Sequence, residues 1–157
     1  RSWSENKELY IRSPEATRPW QHVLEPLSGY LQLGSFLDKS SELDGEPFNF
    51  GPKDSQNRTV LELINALQSN WTYSNEPKIK IKNNTTFYEA SLLKLNCDKA
   101  LMYLKWEPNL DFIQTTSFVA SWYNNFFIKD EDVLSYTNKQ IEKYSDIALK
   151  QGRDWTI

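Results

Sequence analysis

The chain alternates between apolar spacings of a helix and of a strand. Leu24, Leu27, Leu31 and Gly34 recur at helical spacing and predict a helix from about Leu24 to Lys39. Pro26 suits its first turn, where the missing N–H costs little and the fixed φ is already helical. Just before it, Trp20–Val23 reads as a short strand. Val60, Leu63, Ile64, Leu67 and Trp71 form the stripe of a second helix, opened by a capping box of Thr59 and Glu62. Lys78-Ile79-Lys80-Ile81-Lys82 alternates cleanly, as in a half-buried strand with its lysines in solvent. Leu9–Ile11, Phe48–Phe50 and Leu92–Leu95 are further short strands, the second stopped by Gly51-Pro52. Asn96 caps a helix over Cys97–Leu104, with Asp98 in its first turn. Asp111 to Phe127 is a long amphipathic helix with Phe112, Thr116, Val119, Tyr123 and Phe126 or Phe127 on one face. Thr137 and Gln140 form a capping-box pattern for a last helix to about Lys150, with Ile141, Tyr144 and Ala148 as its apolar face. Ser13–Thr17 and Asp130–Val133 are turns, and Arg1–Asn6 is the tail of a helix begun upstream. Short strands with about five helices make the fold class α/β.

Composition narrows the class. At 157 residues the chain is long enough for one domain, residues 1–157, with a buried core. It is 39% hydrophobic and 14% aromatic. A net charge of −3 argues against a general nucleic-acid binder, because affinity for a phosphate backbone needs a basic face. No apolar run approaches the length of a membrane span. The single cysteine, Cys97, forms no internal disulfide, which fits a reducing cytosol and a cytoplasmic location. The chain opens on Arg1 and its one methionine is Met102, so it is expected to be part of a longer polypeptide.

Two arginines stand before helix starts. Arg18 precedes the Trp20 segment that feeds the first helix, and Arg58 precedes the second. A helix start carries unpaired N–H groups and partial positive charge, so a cation beside it suits a phosphate. The alternative for each is an ordinary surface arginine, paired with a carboxylate or with water. His22 is the only histidine and has no partner set for a metal, so it reads as a core or hydrogen-bonding residue. No catalytic residue and no metal ligand is assigned.

Arg18-Pro19-Trp20-Gln21-His22-Val23-Leu24-Glu25-Pro26-Leu27-Ser28-Gly29-Tyr30-Leu31 resembles the signature of the CDP-glucose 4,6-dehydratases, extended short-chain dehydrogenase/reductases acting on nucleotide sugars. Phe48-Asn49-Phe50-Gly51 resembles the superfamily's Tyr/Phe-Asn-x-Gly, and Arg58 matches a family arginine just before the next helix. Glu89-Ala90-Ser91-Leu92-Leu93-Lys94-Leu95-Asn96-Cys97-Asp98-Lys99-Ala100 is similar to the family's Glu-Ala-x-Tyr-x-Lys-Leu-Asp-Cys-x-Lys-Ala. It departs where the family has an aromatic, here Leu92 or Leu93, and where Asn96 replaces the capping Asp. Lys105-Trp106-Glu107-Pro108 resembles Gly-Trp-x-Pro with Lys105 in place of Gly. A left-handed cap on Lys is costly, so a different turn is expected there. Trp122-Tyr123 resembles the family's closing Trp-Tyr, so the likeness runs over essentially the whole chain.

The resemblance implies that the arginine of the signature, Arg18, contacts the substrate diphosphate, with Arg58 as second cation. Ser91 stands where other branches place an arginine. Glu89 either accepts hydrogen bonds from a ribose or sugar hydroxyl or pairs with a lysine. The chain has no Gly-x-Gly-x-x-Gly and no Tyr-x-x-x-Lys. It is therefore expected to be the small substrate-binding part of such an enzyme, with the Rossmann half absent. The family implies NAD as cofactor, held mainly by that other half, a nucleotide-sugar substrate, and a homodimer of the complete enzyme. Rival readings are a nucleotide-sugar epimerase or reductase on the same scaffold, and a non-catalytic binding module.

Overall fold

The computed structural model describes residues 1–73, 78–82, 93–128, 132–153 and 155. In chain order these hold β1 (Leu9–Ile11), β2 (Thr17–Arg18), α1 (Leu24–Leu37), β3 (Arg58–Thr59), α2 (Val60–Ser69), β4 (Ile79–Ile81), α3 (Asp98–Leu104), α4 (Phe112–Ile128) and α5 (Val133–Lys150). The fold is mixed α/β, with five helices and few short strands among the described residues. Among the described residues there are two separate two-stranded ladders: β1 runs parallel to β4, Leu9 opposite Ile79 and Ile11 opposite Ile81, and β2 runs antiparallel to β3. Helix α1 packs on α3, α2 on α4, and α4 on α5.

The core has two centres. Leu43, Phe50, Ala100, Leu104 and Trp106 form one, and Leu110, Phe118 and Tyr144 the other. Gly29 lies where α1 meets the first. A Cβ there would stand 2.3 Å from Phe50 Cδ1, so the helix approaches the ring only because residue 29 has no side chain. His22 is buried with its ring edge-on to Phe118 at 5.5 Å, the core role expected of it.

Several local expectations differ. Trp20–Val23 joins no ladder, because Trp20 N–H donates to Arg18 O (2.9 Å) and folds the chain into a three-residue turn centred on Pro19. Phe48–Phe50 also has no strand partner among the described residues; Gln21 Nε2 takes the Phe50 carbonyl instead (2.9 Å). Of Leu92–Leu95, Leu92 lies outside the described residues and 93–95 form no ladder. Helix α1 stops at Leu37, two residues short of Lys39, and residues 1–6 form turns rather than a helical tail. The capping box of Thr59 and Glu62 is present as expected. Helix α5 starts at Val133, capped by Asp132, whose carboxylate accepts from Ser135 N–H (3.0 Å). Thr137 therefore lies inside the helix and bonds back to Val133 O (2.7 Å), while Gln140 turns inward to Phe118 O (2.8 Å). On α4 the buried positions are Thr115, Thr116, Phe118, Ala120, Asn124 and Asn125. Tyr123 and Phe126 stay half-exposed in a chain of aromatic contacts with Trp122 and Phe127. Lys105 does adopt the left-handed cap, at φ 54°.

Candidate functional site

The β2–β3 ladder places Arg18 directly opposite Arg58, with Thr17 opposite Thr59. Directly opposed residues of an antiparallel pair project from one face, with Cβ atoms roughly 4.5–5.5 Å apart. The two expected cations, 40 positions apart in sequence, thus stand side by side. Like charges in that relation repel, and an anion between them converts the repulsion into two attractions.

Each guanidinium is partly tied by its own backbone. Arg18 Nη1 donates to Thr17 O (2.8 Å) and Arg58 Nη1 to Asn57 O (3.1 Å). Arg58 Nε lies 3.9 Å from Glu62, and its Cζ stands 5.7 Å from the centre of the Phe112 ring. The Thr59 amide, bonded to Glu62 at 2.7 Å, holds that carboxyl below its usual range, with Arg58 adding to the effect. Both arginines are half-buried.

The helix starts do not contribute donors as expected. At α2, Val60 N–H donates to Ala16 O, Leu61 N–H to Pro14 O, and Glu62 N–H to Thr59 Oγ1. At α1, Leu24 N–H faces His22 Nδ1 (3.3 Å), Glu25 N–H donates to His22 O, and Pro26 has no donor. These N–H groups are satisfied within the chain, which leaves the side chains as the available donors.

The residues flanking the arginines, Pro19 and Asn57, line a narrow crevice with Pro52, Lys53 and Asp54. That crevice shares Pro52, Lys53 and Asp54 with a cavity of 500 Å³ that reaches Cys97, Trp106 and Glu107. Its volume lies within the range of small-molecule sites. Burial pushes the Cys97 thiol upward, so it is a poor nucleophile. Neither arginine lines this cavity or the crevice; the crevice meets only their neighbours. A larger groove of 780 Å³, between α1, α3 and α5, also includes neither arginine. Glu89 lies outside the described residues. Among the described residues no cluster of His, Cys, Asp or Glu suits a metal, and no helix is long and apolar enough to cross a membrane.

The stretch 18–30 also braces the site from behind. Trp20 Nε1 donates to Arg58 O (2.9 Å) and Gln21 to Phe50 O. Glu25, 1% exposed, accepts from Asn109 N–H (3.0 Å), Leu110 N–H (2.7 Å) and the Tyr144 hydroxyl (2.9 Å). Ser28 accepts from Trp106 Nε1 (3.0 Å), and Asn109 in turn holds Tyr144 and Arg153. Glu25 carries no assigned role in the family signature and no metal-type spacing that would single it out in the sequence. Its signal lies in the helix pattern: Glu25, Ser28 and Gly29 fall at i, i+3 and i+4 on one face beside Leu24, marking a polar patch on a buried stripe.

The fold and this geometry define an α/β unit with two arginines paired across a short antiparallel ladder. No protein-family model matches the chain. It is 34% identical over 150 residues to CDP-glucose 4,6-dehydratase of Salmonella typhimurium strain LT2, a match covering 96% of this chain and 41% of that protein, in its C-terminal part. The chain thus spans about two fifths of the length of this curated relative.

Proposed function

We propose that this chain is the nucleotide-sugar-binding part of an NAD-dependent CDP-glucose 4,6-dehydratase, which converts its substrate to a 4-keto-6-deoxy sugar. One observation carries the reading: Arg18 and Arg58 face each other on the two-residue ladder. A pyrophosphate offers negative charge to both guanidiniums at once, and planar forked donors match phosphate oxygens. The similarity to the dehydratase supports that class of substrate. The adjoining cavity is lined by Lys53 and Lys94 together with Asp54, Asp98 and Glu107, a mixed set of donors and acceptors for the rest of the ligand. Glu89 would serve a ribose or sugar hydroxyl.

The residues here do not fit NAD. The five glycines, at 29, 34, 45, 51 and 152, form no dinucleotide-cradling turn. NAD is assigned to the rest of the complete protein, which would act in the cytoplasm as a homodimer. The contribution of this part is orientation: fixing the diphosphate locates the sugar. The test is calorimetry on the complete protein. Arg18→Ala and Arg58→Ala should each weaken CDP-glucose binding by roughly 10- to 100-fold, as expected for a lost charge-assisted hydrogen bond, and leave NAD affinity within about twofold. Equal loss for both ligands contradicts the reading.

A further inference from the structure

The ladder that opposes the arginines is only two residues long, and so short a pairing is weak by itself. On the Thr17–Thr59 side two further backbone bonds follow, Val60 N–H to Ala16 O in register and Leu61 N–H to Pro14 O one residue out of it, as the helix begins. On the Arg18–Arg58 side the ladder ends. There the turn centred on Pro19 reverses the chain, and Pro fixes the backbone angle such a turn needs. The reversal carries the Trp20 indole to the carbonyl of Arg58, where Nε1 donates at 2.9 Å. This bond anchors the backbone of Arg58 from just beyond the strand that bears Arg18.

The side chain is held separately. The Phe112 ring lies beneath the guanidinium at 5.7 Å, Glu62 stands at Nε, and Asn57 O takes Nη1. Among the described residues Nη2 makes no hydrogen bond. The head group is thus fixed on three sides.

Resting on the reading of Arg18 and Arg58 as a diphosphate grip, we infer that Trp20 and Phe112 are positioning residues for Arg58. Trp20 sets where its backbone stands and Phe112 sets where its guanidinium points. Neither needs to touch the ligand; both reduce the ordering that binding must otherwise impose on a long side chain.

The test is a double-mutant cycle in the complete protein with CDP as probe, read by calorimetry. Trp20→Phe keeps the ring and removes the donor. It should weaken CDP about fivefold, in line with one lost hydrogen bond, and have no further effect once Arg58 is alanine. Phe112→Leu should behave the same way and carries the test if Trp20→Phe fails to fold. A general structural role would weaken CDP equally with and without Arg58, and that result overturns the inference. So does unchanged CDP affinity in Trp20→Phe while Arg58→Ala weakens it. If Arg58→Ala itself leaves CDP affinity intact, the diphosphate grip fails instead, and the positioning role falls with it.

Discussion

Replacing Glu25 by alanine should unfold the region that the signature stretch organises. The side chain is 1% exposed, and its carboxylate receives the backbone amides of Asn109 and Leu110 at 2.7–3.1 Å. Alanine leaves both amides buried without an acceptor. Each such orphan costs about 1–3 kcal/mol. The Tyr144 hydroxyl is spared, because Ser28 Oγ stands 3.1 Å away and takes its proton. Loss of packing adds to the cost, and relief from burying a charge subtracts from it. The net expectation is about 3–4 kcal/mol, or a melting temperature lower by roughly 10 °C for a chain of this size. Urea unfolding followed by circular dichroism gives the number directly. A loss below about 1 kcal/mol would refute the assignment of those amides to Glu25.

A pH series adds a second arm. Burial raises the Glu25 carboxyl above its usual range, partly offset by the amides of Leu110 and Asn109, the Tyr144 hydroxyl and Arg153. The unfolded chain releases this proton first. Stability from the group is therefore complete below the unfolded value, about 4.3, and is lost as pH rises through the folded value. Relative to Glu25→Gln, the unaltered protein should gain stability as pH falls from 7 towards 4.5. A difference that shrinks over that range refutes the direction.

Three further outcomes follow from single positions. Lys105 is exposed at φ 54°, so Lys105→Gly should stabilise by about 1 kcal/mol; a lower melting temperature would contradict the left-handed cap. Gly29→Ala should destabilise by about 1–3 kcal/mol, because the new methyl overlaps the Phe50 ring; an unchanged midpoint would contradict that contact. Burial lowers the His22 pKa, so its contribution is full above the unfolded value, about 6.5, and is lost as pH falls through the folded value. His22→Asn should flatten the stability loss between pH 7 and 5, and an unchanged slope would count against it.

What was legible in the sequence was local. Thr59 and Glu62 lie three residues apart, so their mutual capping needs nothing beyond the helix they open. The alternation of residues 78–82 likewise located β4. It did not reveal the partner, since the parallel register with β1 joins residues 70 apart. Trp20–Val23 and Phe48–Phe50 looked like strands because apolar alternation reports an extended chain, not a ladder. Their polar groups are met by turns and side chains instead. Asp132 and Thr137 are both residue types that cap helices, and α5 starts at the earlier one. Arg18 and Arg58 were singled out by position and by family likeness, and the helix starts beside them looked like sources of donors. Only the three-dimensional pairing shows that those donors are spent, and that the two residues are paired directly across one ladder.

Whether a diphosphate lies between these two guanidiniums is decided by a crystal structure of the complete protein with CDP-glucose. Phosphate oxygens are expected within hydrogen-bonding distance of both Arg18 and Arg58. A diphosphate bound elsewhere, with both arginines turned to solvent or to carboxylates, would contradict it.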